Sequence, residues 1–271
     1  MIILFVALPL VVAGILPLVG KVSRRVVPDL LANATLLALF VTAAVAGRSW
    51  LADGPVLQQL SWLGESVNIR LALDGFSLLM LLAVSLVGLA ATLFSIDYME
   101  HYGAKANYYA LFLVMVAGMN GLVLSQDLFS VYIFLEVAAV ASYALVAYGL
   151  GAEELEASFK YLMLSVVASA AVLTAIAVLY GMTGALGFDA VAAGLRLLEA
   201  NTVTGVAAAL FLMGFGLKAA LIPFHAWLPD AHPSAPAPIS ALLSGLLIKV
   251  SGVYAIARIF YHVLGLTPAL S

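Results

Sequence analysis

The chain has 271 residues, 65% of them hydrophobic and 9% charged, with a mean hydropathy of +1.16, whereas a water-soluble domain carries about a quarter charged residues. Lipid offers the backbone no hydrogen-bond partners, so spanning elements are helices or a closed barrel; long apolar runs without period-two alternation exclude the barrel and leave an all-α polytopic membrane bundle. The net charge of −3 is spread along the chain and suggests neither a nucleic-acid partner nor an acidic tail; with no Cys and no paired His spacing, no cofactor or metal is expected.

Each crossing needs roughly 20 apolar residues, and polar breaks divide the chain into about eight such segments: 1–20, 29–47, 75–96, 108–125, 128–149, 159–180, 203–228 and 239–264. The first lacks a basic start and a small-residue cleavage site, and reads as a retained helix rather than a signal peptide. The loop after it carries Lys21, Arg24 and Arg25, which by the positive-inside rule places that loop in the cytoplasm and the N-terminus outside. Lys105 and Lys160 then fall inside, and Arg48, Arg70 and Arg196 outside.

The external loop at 48–73 contains Trp50, Trp62 and the partly alternating stretch Val67-Asn68-Ile69-Arg70-Leu71, a short hairpin signal. Asp74 before Gly75 reads as an N-cap of the third segment, and Asp127 as a cap of the fifth. In the seventh segment Gly214 and Gly216 precede Lys218 and Pro223 follows it, so that helix is predicted to be broken. Interrupted helices at membrane depth line cavities or pathways.

Three ionisable residues fall inside apolar segments. Glu136 is eight residues beyond Leu128, about 12 Å deep at 1.5 Å per residue. Lys249 is about 15 Å beyond Ile239, and Lys218 sits at the predicted break. A charge at a helix centre costs on the order of 3 kcal/mol, so each needs a reason. One reading is a buried ion pair that joins two helices, although such pairs often stabilise less than apolar substitutes. The other is a proton relay: desolvation and proximity push the protonation of a buried Lys–Glu pair in opposite senses, so a moving charge can switch it. Lys suits this because its pKa responds to its surroundings, whereas Arg stays charged. His225 reads equally as a proton carrier between Lys218 and the cytoplasm or as a cap for freed carbonyls. Lys160 reads as a snorkelling or a relay lysine. Arg258 is expected to snorkel or pair near the outer interface, and His101, His232 and His262 receive no role.

These residues also carry a resemblance. Asp127-Leu128-Phe129 with Phe134-Leu135-Glu136, Ala157-Ser158-Phe159-Lys160-Tyr161, the run from Leu217-Lys218 through Pro223-Phe224-His225-Ala226-Trp227-Leu228-Pro229-Asp230-Ala231-His232, and Ala235-Pro236-Ala237-Pro238 leading to Lys249 resemble the antiporter-like subunits of respiratory complex I, of Mrp cation/proton antiporters and of energy-converting membrane-bound hydrogenases. The resemblance covers nearly the whole chain. Around Glu136, with Ala141-Ser142-Tyr143-Ala144-Leu145 after it, the wording is more similar to the Mrp and hydrogenase branch.

The resemblance implies a proton-translocating, or else sodium-translocating, membrane subunit of a multi-subunit redox-driven pump in the inner (cytoplasmic) membrane, with no catalytic centre of its own. Glu136 matches the helix-five glutamate, Lys218 the lysine of the broken helix seven, Lys249 that of helix eight, and Lys160 one near the start of helix six; Ser244 stands where some members have a His. It divides the chain into helices one to three (1–107), the first five-helix repeat of helices four to eight (108–264) and a tail (265–271). Members usually carry a second repeat, so the chain is expected to be a fragment or split product. Its implied partners are lipid, a membrane subunit supplying the second half-channel, and hydrophilic redox subunits. The alternatives are a Mrp-type Na+/H+ antiporter subunit, an energy-coupling subunit for inorganic carbon uptake, and a non-conducting membrane scaffold.

Overall fold

The computed structural model describes residues 1–23, 26–54, 56–61, 68–198 and 202–265. Arg24, Arg25, Trp62, Val67 and the tail from 266 onward lie outside them. The helices are α1 (Leu4–Val19), α2 (Val26–Asp53), α3 (Gly75–Tyr98), α4 (Lys105–Leu124), α5 (Leu128–Val146), α6 (Ala152–Thr183), α7 (Phe188–Leu197), α8 (Thr202–Lys218), α9 (Leu228–Ser234) and α10 (Ala237–Leu264), with a hairpin of β1 (Val56–Ser61) and β2 (Asn68–Leu73) between α2 and α3. α10 opens α-helical and continues largely in wider π-type turns. Among the described residues six helices are long and apolar enough to cross a membrane, α2 to α6 and α10, and α1 and α8 are shorter apolar helices. These eight helices overlap the segments read from the sequence, six of them with the length and composition of a crossing.

α4 is the central helix, buried on nearly every side, with α1 and α5 packed closely along it. Pro9 inside α1 has no N–H to give the carbonyl of Phe5. Asn120 of α4 supplies the missing donor, its side-chain amide reaching that carbonyl at 3.0 Å. Asn120→Ala is therefore expected to cost about 1–3 kcal/mol, the penalty of an unsatisfied buried acceptor, and to cost much less in a Pro9→Ala background. Thermal unfolding of the four proteins in that cycle measures the coupling.

At the opposite end of α4 a buried ion pair ties three helices. Lys105 Nζ lies 2.8 Å from Asp29 Oδ2 of α2 and donates to the Ile96 carbonyl of α3 at 2.5 Å. Tyr109 Oη donates to the second Asp29 oxygen at 2.6 Å. One turn deeper, Thr92 of α3 donates to Asn33 of α2 at 2.9 Å.

The hairpin caps the other end. β2 continues into neighbouring chain segments: Leu71 bridges Ser125, Asp127 bridges Gly187, and Gln126 N–H donates to the Arg70 carbonyl at 2.9 Å. The α4–α5 connection is thus joined by backbone hydrogen bonds to the hairpin on one side and to the α6–α7 connection on the other. Asp127 caps α5, accepting from Ser130 N at 2.7 Å. Asp74 caps α3 in a reciprocal pair with Ser77 and also holds Arg258 of α10 at 2.6 Å, so Arg258 pairs as expected.

α7 has no counterpart among the segments read from the sequence. It is ten residues long and amphipathic, with Asp189 in its first turn, Arg196 in its last, and Phe188, Val191 and Ala192 buried. A search for runs of twenty apolar residues passes over such a stretch.

The break in the seventh segment is present and falls directly after Lys218. Ala220 takes a left-handed conformation (φ 52°), which an α-helix cannot continue through. The chain then turns through 219–227 and resumes in α9. Two glycines let neighbours close around this point: a Cβ on Gly214 would meet the Ala168 carbonyl of α6 at 2.7 Å, and one on Gly252 the backbone of Ala219 at 2.6 Å.

Candidate functional site

α5 and α6 are successive antiparallel helices, and each carries a polar stripe through otherwise apolar sequence. On α6 the stripe is Tyr161, Ser165 and Ser169, spaced i, i+4, i+8 on one face; on α5, Glu136 and Tyr143 are seven apart, two turns along one face. The stripes meet, and the last residue of α8, Lys218, enters between them.

Lys218 is the deepest charge of the site, its side chain 3% exposed against 29% for Glu136. Its ammonium lies 3.6 Å from Glu136 Oε1 and donates to the Ser165 hydroxyl. Ser169 Oγ is in hydrogen-bond contact with the same Glu136 oxygen and lies 2.9 Å from the Ser165 carbonyl; its single proton serves one acceptor at a time. At 3.6 Å the Lys–Glu pair is an ion pair longer than a direct hydrogen bond. With an effective dielectric near 20 their attraction is about 4–5 kcal/mol, similar to the roughly 3 kcal/mol cost of one charge at a helix centre. Opposing terms of such similar size make the pair sensitive to small movements of either helix.

The break is itself satisfied. The Leu217 carbonyl, just before Lys218, accepts from Trp227 Nε1 at 3.0 Å, and the Trp227 ring stacks on Tyr161 at 4.2 Å and 11°. Tyr161 Oη is 3.0 Å from Ser142 Oγ, and its ring meets that of Tyr143 edge-on at 4.7 Å.

The other residues singled out in the sequence lie apart from this pair. Lys249 is exposed, and its amine donates to the Ser244 carbonyl of its own helix. It lies within electrostatic reach of His232, whose Nδ1 is 2.7 Å from Ser240 Oγ. His225 is exposed and its imidazole makes no hydrogen bond among the described residues, so it does not cap the carbonyls freed by the break; Trp227 takes the one at Leu217. Lys160 is half exposed and pairs with Glu156 and Asp230, both at 2.9 Å, pinning α6 to α9. The sequence reading missed Ser165, Ser169, Tyr143, Tyr161 and Trp227. The recurrence of polar residues every four positions along α6 was the signal that could have found the first of them.

The sequence matches the NADH:quinone oxidoreductase/Mrp antiporter transmembrane family over residues 125–270, and the N-terminus of complex I chain 5 over residues 62–109. It is 34% identical over 263 residues to NADH-quinone oxidoreductase subunit N of Desulforudis audaxviator, covering 96% of this chain and 52% of that protein. It is 36% identical over 207 residues to a Na(+)/H(+) antiporter subunit of Alkalihalophilus pseudofirmus, covering 75% and 42%. A chain of the membrane-bound sulfane sulfur reductase, an archaeal respiratory membrane complex, superposes with a TM-score of 0.87 at 30% identity, over 97% of this chain and 54% of that one. The chain spans about half the length of these relatives. It is a multi-pass helical membrane protein and belongs to the NADH:quinone oxidoreductase/Mrp antiporter transmembrane family.

Proposed function

We propose that this chain is a proton-translocating membrane subunit of a multi-subunit, redox-driven complex, and that the Lys218 amine is the group that gains and loses the proton. The observation that carries this is the meeting of Lys218 and Glu136 at the helix break, with the Ser165 and Ser169 hydroxyls on them. A lysine whose charge is balanced by one nearby carboxylate changes protonation when that carboxylate moves. The broken helix supplies the movable element, because Lys218 ends α8 and the chain after it is held by isolated turn hydrogen bonds rather than by a continuous helical ladder.

In this reading Glu136 sets the charge state of Lys218, and Lys218 exchanges protons with Lys249. Lys249 faces outward on α10, on a surface suited to continuing the path into a membrane subunit that supplies the second half-channel. His225 and Lys160 belong to the approach on the side away from the hairpin. Residues 1–107 form the supporting helices and 108–264 the translocating repeat. The protein sits in the cytoplasmic membrane with its N-terminus and hairpin outside, and hydrophilic redox subunits power it. The match to a Na(+)/H(+) antiporter subunit supports a second reading, Na+/H+ exchange without an electron donor, using the same pair.

The Glu136→Gln, Lys218→Ala double variant tests this in the assembled complex. Assembly is expected to be retained and proton translocation, measured in sealed vesicles, to fall to background. Normal transport by the double variant would contradict the proposal and favour a non-conducting scaffold. Sodium-dependent proton release without redox substrate would favour the antiporter reading.

A further inference from the structure

We propose that Tyr143 is a proton-relay residue that feeds Lys218 from the bundle end opposite the hairpin; this rests on the proposed role of Lys218. Between that end and Lys218, α5 and α6 contribute a ladder of hydroxyls. At the surface stand Lys160, Glu156 and Asp230. Next inward is Tyr161, paired with Ser142 and stacked on Trp227. Then comes Tyr143, and then Ser165, which accepts from Lys218. Ser158 Oγ ties α6 to the Tyr143 carbonyl at 2.9 Å, holding the two helices together at this level.

Tyr143 differs from the other members of the ladder. It is buried, yet its hydroxyl has no hydrogen-bond partner among the described residues. Buried hydroxyls are ordinarily bonded, and an unbonded one needs an explanation. Its hydroxyl faces Ser165 at the outer edge of hydrogen-bonding reach, with Tyr161 and Glu136 as its electrostatic neighbours, so it sits between the bonded pair Tyr161–Ser142 on one side and the bonded pair Ser165–Lys218 on the other. A hydroxyl in that position can complete the ladder by a small rotation of the ring or of Ser165, and it breaks the ladder when it does not. Protons then pass only when Lys218 and its serine are placed to receive them.

The step balances without a co-reactant. The Tyr143 phenol gives its proton to the Ser165 oxygen as the Ser165 proton passes to the neutral Lys218 amine. Tyr143 regains a proton from the Tyr161 side. One O–H bond re-forms for each that breaks, and the new N–H bond on Lys218 holds the proton delivered.

Tyr143→Phe separates this role from a structural one, because Phe keeps the ring against Tyr161 and removes only a hydroxyl that no described residue binds. If the hydroxyl were structurally idle, its loss would leave transport unchanged. In the assembled complex in vesicles, Tyr143→Phe is expected to slow proton translocation at least about tenfold, less than the roughly hundredfold or more lost with a primary proton-transfer group because Tyr143 only relays to Lys218, with a changed pH profile and an undiminished thermal midpoint. A rate and pH profile within about twofold of the wild type would overturn the relay. Lys218→Ala is measured alongside. If it abolishes transport while Tyr143→Phe does not, only the relay fails; if it leaves transport intact, both the relay and the role of Lys218 fail. Should Tyr143→Phe not assemble, 3,5-difluorotyrosine at position 143 keeps ring and hydroxyl but lowers the phenol pKa. It is expected to move the alkaline limb of the pH profile downward, and an unmoved limb overturns the relay.

Discussion

Asp29→Ala is expected to destabilise the protein by about 3–5 kcal/mol, the cost of breaking a buried ion pair from one side. The Lys105 side chain is 5% exposed and that of Asp29 15%, so of its described partners the surviving ammonium would keep only the Ile96 carbonyl. Tyr109 would lose its acceptor at the same time. The cost falls on one asymmetric event, an orphaned charge, rather than on the net worth of the pair. Replacing both partners by apolar residues, Asp29→Leu with Lys105→Met, should therefore recover most of the loss. Thermal unfolding in detergent of the wild type, the single variant and the double variant checks this. If Asp29→Ala melts like the wild type, the pair does not hold α2, α3 and α4 together.

The two buried lysine pairs differ in kind. Lys105 is hydrogen-bonded to its carboxylate at 2.8 Å and anchored by a backbone carbonyl within continuous helices. Lys218 meets its carboxylate at 3.6 Å, at the end of a helix, through hydroxyls that can turn. The first arrangement fixes three helices; the second is loose enough to change state. Lys160, exposed between two carboxylates, is a surface pair of the sort worth at most about 1 kcal/mol.

Much of this was legible in the sequence. Apolar runs of bilayer length marked eight helical segments at the observed places, and Asp74 and Asp127 were recognisable as caps because a short acceptor stood directly before each apolar run. The break was legible too, since Gly214, Gly216 and Pro223 weaken the same two turns. Glu136 and Lys218 stood out because charges are costly at their depth. What pattern could not supply was pairing between distant segments. Lys105 reads as a loop residue because it begins α4, and only the approach of Asp29, 76 positions earlier, buries it. The serines of α6 were hidden in the same way: Ser is common in membrane helices, and the importance of Ser165 and Ser169 comes from facing Lys218 and Glu136. Lys249 was read as deep, and it is deep along the helix axis, but its side chain points outward, a direction that a linear count of residues does not fix.

The most direct test of the central claim is Lys218→Arg, assayed for proton translocation by the assembled complex in sealed vesicles. Arg retains the positive charge and can pair with Glu136 and Ser165, but it does not give up its proton in a protein. If Lys218 must lose and regain a proton, Lys218→Arg is expected to assemble normally and to pump at least about a hundredfold more slowly, a typical loss for a proton-transfer group. Proton translocation by Lys218→Arg at the wild-type rate would contradict the account, leaving the Lys218–Glu136 pair a structural tie.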